Sequence, residues 1–448
     1  MHDAPTVPTP TGSRPGASLS GVSARLPLPV RVALALALTL FTYCALFEGS
    51  AWNAAFIGGI AATAIALLVL ITRRILLSTV AVFALVAIIV IAGTVKVQLM
   101  HMAIHAYDVV YYLTSPATVR FLYTNYTEEM IGLTLALVLF FAGLVWTHRN
   151  DSTRIRRPHA AVALASIAAF TAYADGSKDA RAEWRLFEDG LTLTKFVGSW
   201  PETLQTLWRG QLVEAAQESS GPSFAIPTTC DLKEKPPHVL LIHEESAVPP
   251  EVVPNLSYDK TMDRMFRSFD GKLHKLRVET YAGASWLTEF GILTGMSTYA
   301  FGSMRTFVQA LMAGKISDTL PETFARCGYR TAVFYPLDRN FVSNGRFYAA
   351  AGMSEVFDRH DQGATADGER DSFYFGNYLK FLEGHLAASD KPVFTFLLTM
   401  ATHQPYHTKF APEVDVPGGG PGTSPDMNEF LRRLSMARID LENLKLEL

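Results

Sequence analysis

The stretch that decides the fold reads Thr280-Tyr281-Ala282-Gly283-Ala284-Ser285-Trp286-Leu287-Thr288-Glu289-Phe290-Gly291-Ile292-Leu293-Thr294-Gly295. In the run before it, Lys275 to Thr280, apolar Leu276 and Val278 alternate with polar residues, which predicts a short strand over 275–280. Ala282-Gly283-Ala284 supplies a small-residue turn. Leu287, Phe290, Ile292 and Leu293 then recur at roughly helical spacing, and Gly295 is placed to end a helix over 285–294. Ser285 therefore stands in the first turn of a helix, just after a strand. Free backbone N–H groups and the helix dipole favour an anion there, phosphate being the obvious one. The plainer alternative is that Ser285 only caps the helix.

Working outward, His238-Val239-Leu240-Leu241-Ile242-His243 reads as a buried-type strand that ends at Glu244-Glu245-Ser246. Open α/β sheets place their sites at the carboxyl ends of such strands. A carboxylate there beside a serine hydroxyl makes a site for a hard cation, which lowers the hydroxyl pKa and neutralises phosphate oxygens. The alternative is a pair of solvated loop acids.

Together the two stretches resemble the alkaline phosphatase/sulfatase superfamily, in particular the branch of membrane-anchored lipoteichoic acid synthases and phosphoglycerol or phosphoethanolamine transferases. In that branch a strand ending in Glu-Ser supplies a metal ligand, which falls on Glu245. A Thr or Ser four residues before Glu-Phe, leading into Leu-Thr-Gly, is the nucleophile and shares the metal. That position is Ser285, with Glu289-Phe290 and Leu293-Thr294-Gly295 completing the pattern. The resemblance covers about residues 236–448 and implies one divalent ion (Mn, Mg or Zn) and a covalent phospho-Ser. It also implies a phospholipid headgroup donor and a glycan or lipid acceptor. The Cys/Ser-x-Pro-x-Arg signature of formylglycine sulfatases is missing at this position, which argues against sulfate ester hydrolysis.

Two further regions follow from the resemblance. After a strand over 329–335, Pro336 to Arg346 matches a segment that contacts the substrate phosphate, so Arg339, Asn344 and Arg346 are substrate-binding candidates. The strand over 392–399 leads into Ala401-Thr402-His403-Gln404-Pro405, where the family carries a His beside the transferred phosphate. His403 fits that place and could protonate the leaving oxygen, with His407 as its rival. The family's remaining metal ligands are an adjacent Asp-His pair after one more strand. No Asp-His dipeptide follows residue 236, so the sequence reads either as truncated before that motif or as an inactive member with a binding or regulatory role.

The rest of the 448 residues frames this domain. An apolar share of 49% with only 18% charged residues is high for a soluble chain, and the apolar excess lies before residue 176. A net charge of −3 gives no reason to invoke nucleic acid. Residues 1–27, rich in Pro, Ser, Thr and Gly, read as a disordered cytoplasmic tail without a cleavable signal peptide. Residues 28–175 read as a transmembrane domain with spans at about 29–48, 52–72, 75–95, 129–147 and 158–174. Arg73, Arg74, Arg149, Arg154, Arg156 and Arg157 fall on alternate connections, which puts the N-terminus in the cytoplasm and the catalytic domain outside the cytoplasmic (inner) membrane. The spans hold almost no ionisable residues, which disfavours a transporter.

Between spans three and four, His101, His105, Asp108, Tyr111 and Tyr112 suggest either a metal pair or, preferably, an interfacial helix with His and Tyr at headgroup level. Residues 176–235 read as a linker with a helix over 202–216, whose Trp184, Phe187, Trp200 and Trp208 have ordinary packing as the default and the membrane surface or the outer domain as alternatives. From 236, strands at 238–243, 275–280, 329–335 and 392–399 alternate with helices at 258–268, 285–294, 318–327, 340–351, 371–388 and 427–447. That order argues an α/β domain with a mostly parallel sheet. Cys230 and Cys327 fall in its disulfide-permissive part, but sequence does not set their distance.

Overall fold

The structure, a computed structural model, describes residues 26–178, 187, 190–209, 230, 235–280, 283–365 and 368–448. The expected N-terminal tail up to residue 25, Trp184 and the run Ser219 to Ser223 lie outside the described residues. In chain order the first helices are α1 (Leu28–Phe47), α2 (Ala51–Thr72), α3 (Ile75–Met100), α4 (Ala106–Thr114), α5 (Pro116–Asn125), α6 (Thr127–Asn150) and α7 (Arg157–Ser177). The short α8 (Thr192–Gly198) and α9 (Trp200–Arg209) follow in the stretch read as a linker. Two compact units result: residues 1–97, 128–182 and 189–197 form one, and residues 98–127, 183–188 and 198–448 the other.

Among the described residues five helices are long and apolar enough to cross a bilayer, and the first unit holds them: α1, α2, α3, α6 and α7. Close approach of α2 to α7 depends on Gly59, where a Cβ would lie 2.4 Å from Thr171 Oγ1. At one end of this unit the basic connections meet: the Ile155 N–H donates to Arg73 O, and Asp151 accepts from the Leu77 N–H at 3.0 Å. Elsewhere in the unit the buried Glu48 carboxylate takes the Leu193 and Thr194 N–H groups at 3.1 and 2.9 Å, satisfying free donors in the first turn of α8.

The second unit is built on a four-stranded sheet in the order β1-β4-β2-β3, every pair parallel. Its strands are β1 (Val239–Glu244), β2 (Arg330–Phe334), β3 (Glu355–Phe357) and β4 (Val393–Thr399). Helices α10 (Ser285–Thr294), α11 (Val308–Met312), α12 (Leu320–Arg326), α13 (Asn344–Ala350), α14 (Asp371–Ala388) and α15 (Pro425–Glu447) complete it. Strand alternation divides the core into two layers. Leu241, Val333, Phe394 and Phe396 face Phe290 of α10 and Phe347 of α13. Leu240, Ile242, Ala332, Phe334 and Leu397 face Tyr374 and Tyr378 of α14 and Leu444 of α15. Cys230 and Cys327 form a disulfide with their Cα atoms 5.3 Å apart.

Two expectations fail here. Residues 275–280 form no strand: Leu276 and Val278 are 71% and 49% exposed, so their alternation meets no sheet. The segment's Glu279 instead accepts the Thr298 N–H at 2.6 Å and the Ser297 hydroxyl at 2.5 Å, capping the 3₁₀ turns of Thr298–Phe307. The fourth strand is β3, whose three residues are too short for period-2 reasoning. The connector between spans three and four also differs. His105 and Asp108 are buried as a reciprocal capping box on α4, and His105 Nε2 lies 2.9 Å from Ser303 Oγ. These polar side chains face protein, where the sequence placed them at headgroup level.

Candidate active site

The site assembles at the carboxyl end of β1. Glu245 follows the strand directly, and Ser246 turns the chain away at φ +58°. Continuing the odd-numbered alternation of Val239 and Leu241, Glu245 falls on the α10 side. Ser285 begins α10 after Ala284, a buried residue held in the left-handed region at φ +60°. A non-glycine residue in that conformation costs about 1–3 kcal/mol, and such outliers cluster at functional sites. Ser285 thereby sits in the first helical turn, among N–H groups that suit an anion.

The Ser285 hydroxyl lies close enough to the Glu245 carboxyl to favour its ionised form. Burial raises the Glu245 pKa, and His403 and Ser285 pull it partly back. The third group arrives on the loop after β4: His403 Nε2 lies 3.5 Å from Glu245 Oε1. His403 Nδ1 faces the Gln404 carbonyl at 2.6 Å, and a carbonyl only accepts, so Nδ1 carries the proton and Nε2 points at the site. The loop itself is pinned twice. The Thr402 hydroxyl donates to the Glu245 carbonyl, and buried Arg433 of α15 donates to the carbonyls of His403 (2.5 Å), Pro405 and Thr408 (both 2.8 Å).

These three groups are two oxygen donors and one imidazole nitrogen, right in kind for a divalent ion but fewer than its usual ligand number. Among the described residues no group of three or more His, Cys, Asp or Glu converges as a metal site.

Residues 237–435 match the sulfatase family model. They form a sulfatase domain. A Haemophilus influenzae protein described as uncharacterized is 24% identical over 223 residues, 46% of this chain and 39% of that one. Thus this chain spans about two fifths of that relative. Among solved structures, the lipoteichoic acid synthase LtaP from Listeria monocytogenes is similar at 15% identity and TM-score 0.36, covering 54% of this chain and 57% of its own. The Streptococcus pyogenes phosphoglycerol transferase GacH, in complex with sn-glycerol-1-phosphate, is similar at 17% identity and TM-score 0.37 over 55% and 64%.

Within the sulfatase domain the other expected residues are placed differently from the triad. Asn344 is fully buried and donates to Tyr335 Oη at 2.9 Å and Glu289 Oε2 at 3.3 Å. Arg339 Nε is bound to Asp358 at 2.7 Å, and its Nη2 to Asp361. Arg346 is exposed in the first turn of α13. Sequence reasoning missed the layer beneath Ser285. Glu289, one turn along α10, accepts from the Tyr348 hydroxyl, and burial pushes its pKa up to about 8. The spacing from Ser285 to Glu289 was visible in the sequence, but their partners on α13 were not. The connector also reaches this layer. Tyr111 Oη lies 2.9 Å from Ser343 Oγ, and the Phe121 ring is 6.1 Å from Phe341, which packs edge-on against Trp286. The tie holds two successive left-handed residues, Val342 at φ +43° and Ser343 at φ +63°, that lead into Asn344.

Proposed function

We propose that the chain is a membrane-anchored phosphotransferase that moves a phospholipid headgroup, phosphoglycerol or phosphoethanolamine, to an envelope glycan or lipid. The observation that carries this reading is the meeting of Ser285, Glu245 and His403 at one strand end. The Ser285 oxygen attacks the headgroup phosphorus while Glu245, made more basic by burial, takes the hydroxyl proton. The bond from phosphorus to the diacylglycerol oxygen breaks, and His403 as imidazolium delivers the proton that this oxygen needs. An acceptor hydroxyl then attacks the phospho-Ser, returning the serine oxygen. The first-turn N–H groups of α10 would donate to phosphoryl oxygens as these gain charge. A divalent ion (Mn, Mg or Zn), when bound at Glu245 and Ser285, would neutralise those oxygens. Of the three expected phosphate contacts, Arg346 is the exposed one, while Arg339 and Asn344 are engaged by protein groups. The basic connections at one end of the membrane unit support an N-terminus in the cytoplasm and the sulfatase domain outside an inner membrane.

The short donor set favours a second reading, a sulfatase-fold binder without turnover. The full chain in nanodiscs separates the two when given headgroup-labelled phosphatidylglycerol or phosphatidylethanolamine and each metal in turn. Transfer is expected to produce phospho-Ser285 by mass spectrometry, and Ser285→Ala is expected to remove both label transfer and adduct. Binding of the labelled lipid with no adduct on the wild-type chain would sink the enzyme reading.

A further inference from the structure

Helix α4 has two faces of different character. Ala106, Asp108 and Tyr111 are buried, while Val109 and Leu113 point outward at 39% and 79% exposure. Helix α9 packs against α4 and repeats the pattern. Its Thr203 is fully buried and its Glu202 accepts the Ser303 N–H at 3.2 Å, whereas Leu204, Leu207 and Trp208 are 55%, 51% and 91% exposed. The Ser199 hydroxyl, just before α9, accepts from the Ala106 N–H at 2.9 Å and ties the two helices together. Single exposed apolar residues need no explanation, but five on two adjoining helices form a patch of the kind that marks an interaction site.

The chain itself says what covers it. Five residues separate the end of α3 at Met100 from α4, at most about 20 Å of extended chain. One residue, Tyr126, separates the end of α5 from the start of α6. Both α3 and α6 are long and apolar enough to cross a bilayer, so the connector is held at the membrane surface from both ends. A helix with one apolar face held there lies in the headgroup boundary with that face down, and exposed Trp is a side chain suited to that depth.

We propose that the outward faces of α4 and α9, carried by Val109, Leu113, Leu204, Leu207 and Trp208, seat the sulfatase domain on the lipid surface. Helix α4 carries no Lys or Arg and α9 only Arg209 at its end, so the seating works through burial of apolar side chains and needs no anionic lipid.

The test uses the full chain in phosphatidylcholine nanodiscs, with a fluorophore on Leu113→Cys or on Trp208→Cys and nitroxide on the lipid near the headgroup. Leu386→Cys on α14, half-exposed and on the opposite side of the sheet from α10, is the reference. Cys44 is buried and Cys230–Cys327 is bonded, so the wild-type chain gives the labelling background and the intact bridge reports folding. Quenching is expected at least about threefold stronger at 113 and 208 than at 386, and unchanged on raising salt from 0.1 to about 1 M. Leu204→Cys gives the same readout should the Trp208 variant fail to fold. Quenching at 113 and 208 no stronger than at 386 overturns the proposal and leaves a protein partner or a second copy as the cover. Loss of quenching at high salt also overturns it, since apolar seating is not screened. Neither outcome depends on whether the chain turns over.

Discussion

At the carboxyl end of β1, Glu244 turns toward α14 and α15 while Glu245 turns toward α10, and the two carboxyls meet different chemistry. Glu244 Oε2 accepts the Thr399 hydroxyl at 2.7 Å, and the neighbouring acid is Asp371, which starts α14 and is wholly buried. Glu244 and Asp371 face each other closely enough to share a proton, and burial pushes Glu244 up to about 7 and Asp371 well above its ordinary value. Glu245 is just as deeply set, yet it meets a serine hydroxyl and an imidazole. Adjacent acids therefore do different work because a strand sends successive side chains to opposite faces. The α10 face presents a hydroxyl, a carboxyl and an imidazole side by side, while the α14–α15 face holds a buried carboxyl pair that favours the protonated form.

The largest expected difference between the faces is in turnover. Glu245→Gln keeps the shape and removes the proposed base, so headgroup transfer should fall by roughly 10² to 10⁴. Glu244→Gln, one residue away, should leave turnover within about threefold, because its carboxyl faces the other layer. A Glu244→Gln loss as large as that of Glu245→Gln, in the same labelled-lipid assay, would break the comparison.

Stability should separate them in the opposite sense. A glutamate of the unfolded chain titrates near 4.5, and in the fold Glu244 is raised to about 7, so the fold prefers the protonated form. That contribution is complete below about pH 4.5 and is lost as pH rises through about 7, on the order of a few kcal/mol across the window. Thermal unfolding of the wild-type chain in detergent should therefore show Tm falling from pH 5 to 8. Glu244→Gln, which stays neutral throughout, should flatten much of that slope. Parallel Tm profiles for the two proteins would mean that the fold does not hold Glu244 protonated.

How much of this was legible depended on whether a feature is local. Helix 285–294 was readable to the residue, because its apolar spacing and its Gly295 stop lie within ten positions. Five apolar spans were readable from length and composition, and strand-end placement plus a family pattern singled out Ser285, Glu245 and His403, which the fold brings to one strand end. Asn344 looked like a phosphate contact because exposed and buried amides share one letter, and only the fold turns its side chain onto Tyr335 and Glu289. His105 misled for the same reason. A histidine beside a span reads as interfacial until Ser303, nearly 200 positions away, is placed against it. The Glu244–Asp371 pair and the hold of Arg433 on the His403 loop are likewise contacts between distant segments, which no periodicity records.

The smallest expected effect concerns how far the connector's influence extends across the sheet. Tyr111→Phe removes one hydroxyl, and with it the 2.9 Å bond to Ser343 and the 3.3 Å bond from Thr118, while leaving the ring on Phe307. A hydrogen bond of this kind contributes about 1 kcal/mol, so the left-handed turn at Val342 and Ser343 should open roughly fivefold more often. Amide hydrogen exchange over residues 341–350 and 285–294 should speed up by about that factor. Exchange in α14, behind the sheet, should not change, and neither should that of a Val109→Ala chain over the same residues. Were α14 to loosen as much as α10, the two faces would be one cooperative unit, and the division drawn at Glu244 and Glu245 would be chemical only. If α10 alone responds, the division is mechanical as well, and a segment bracketed by two membrane spans acts on the turn beside Ser285 without touching the layer beneath.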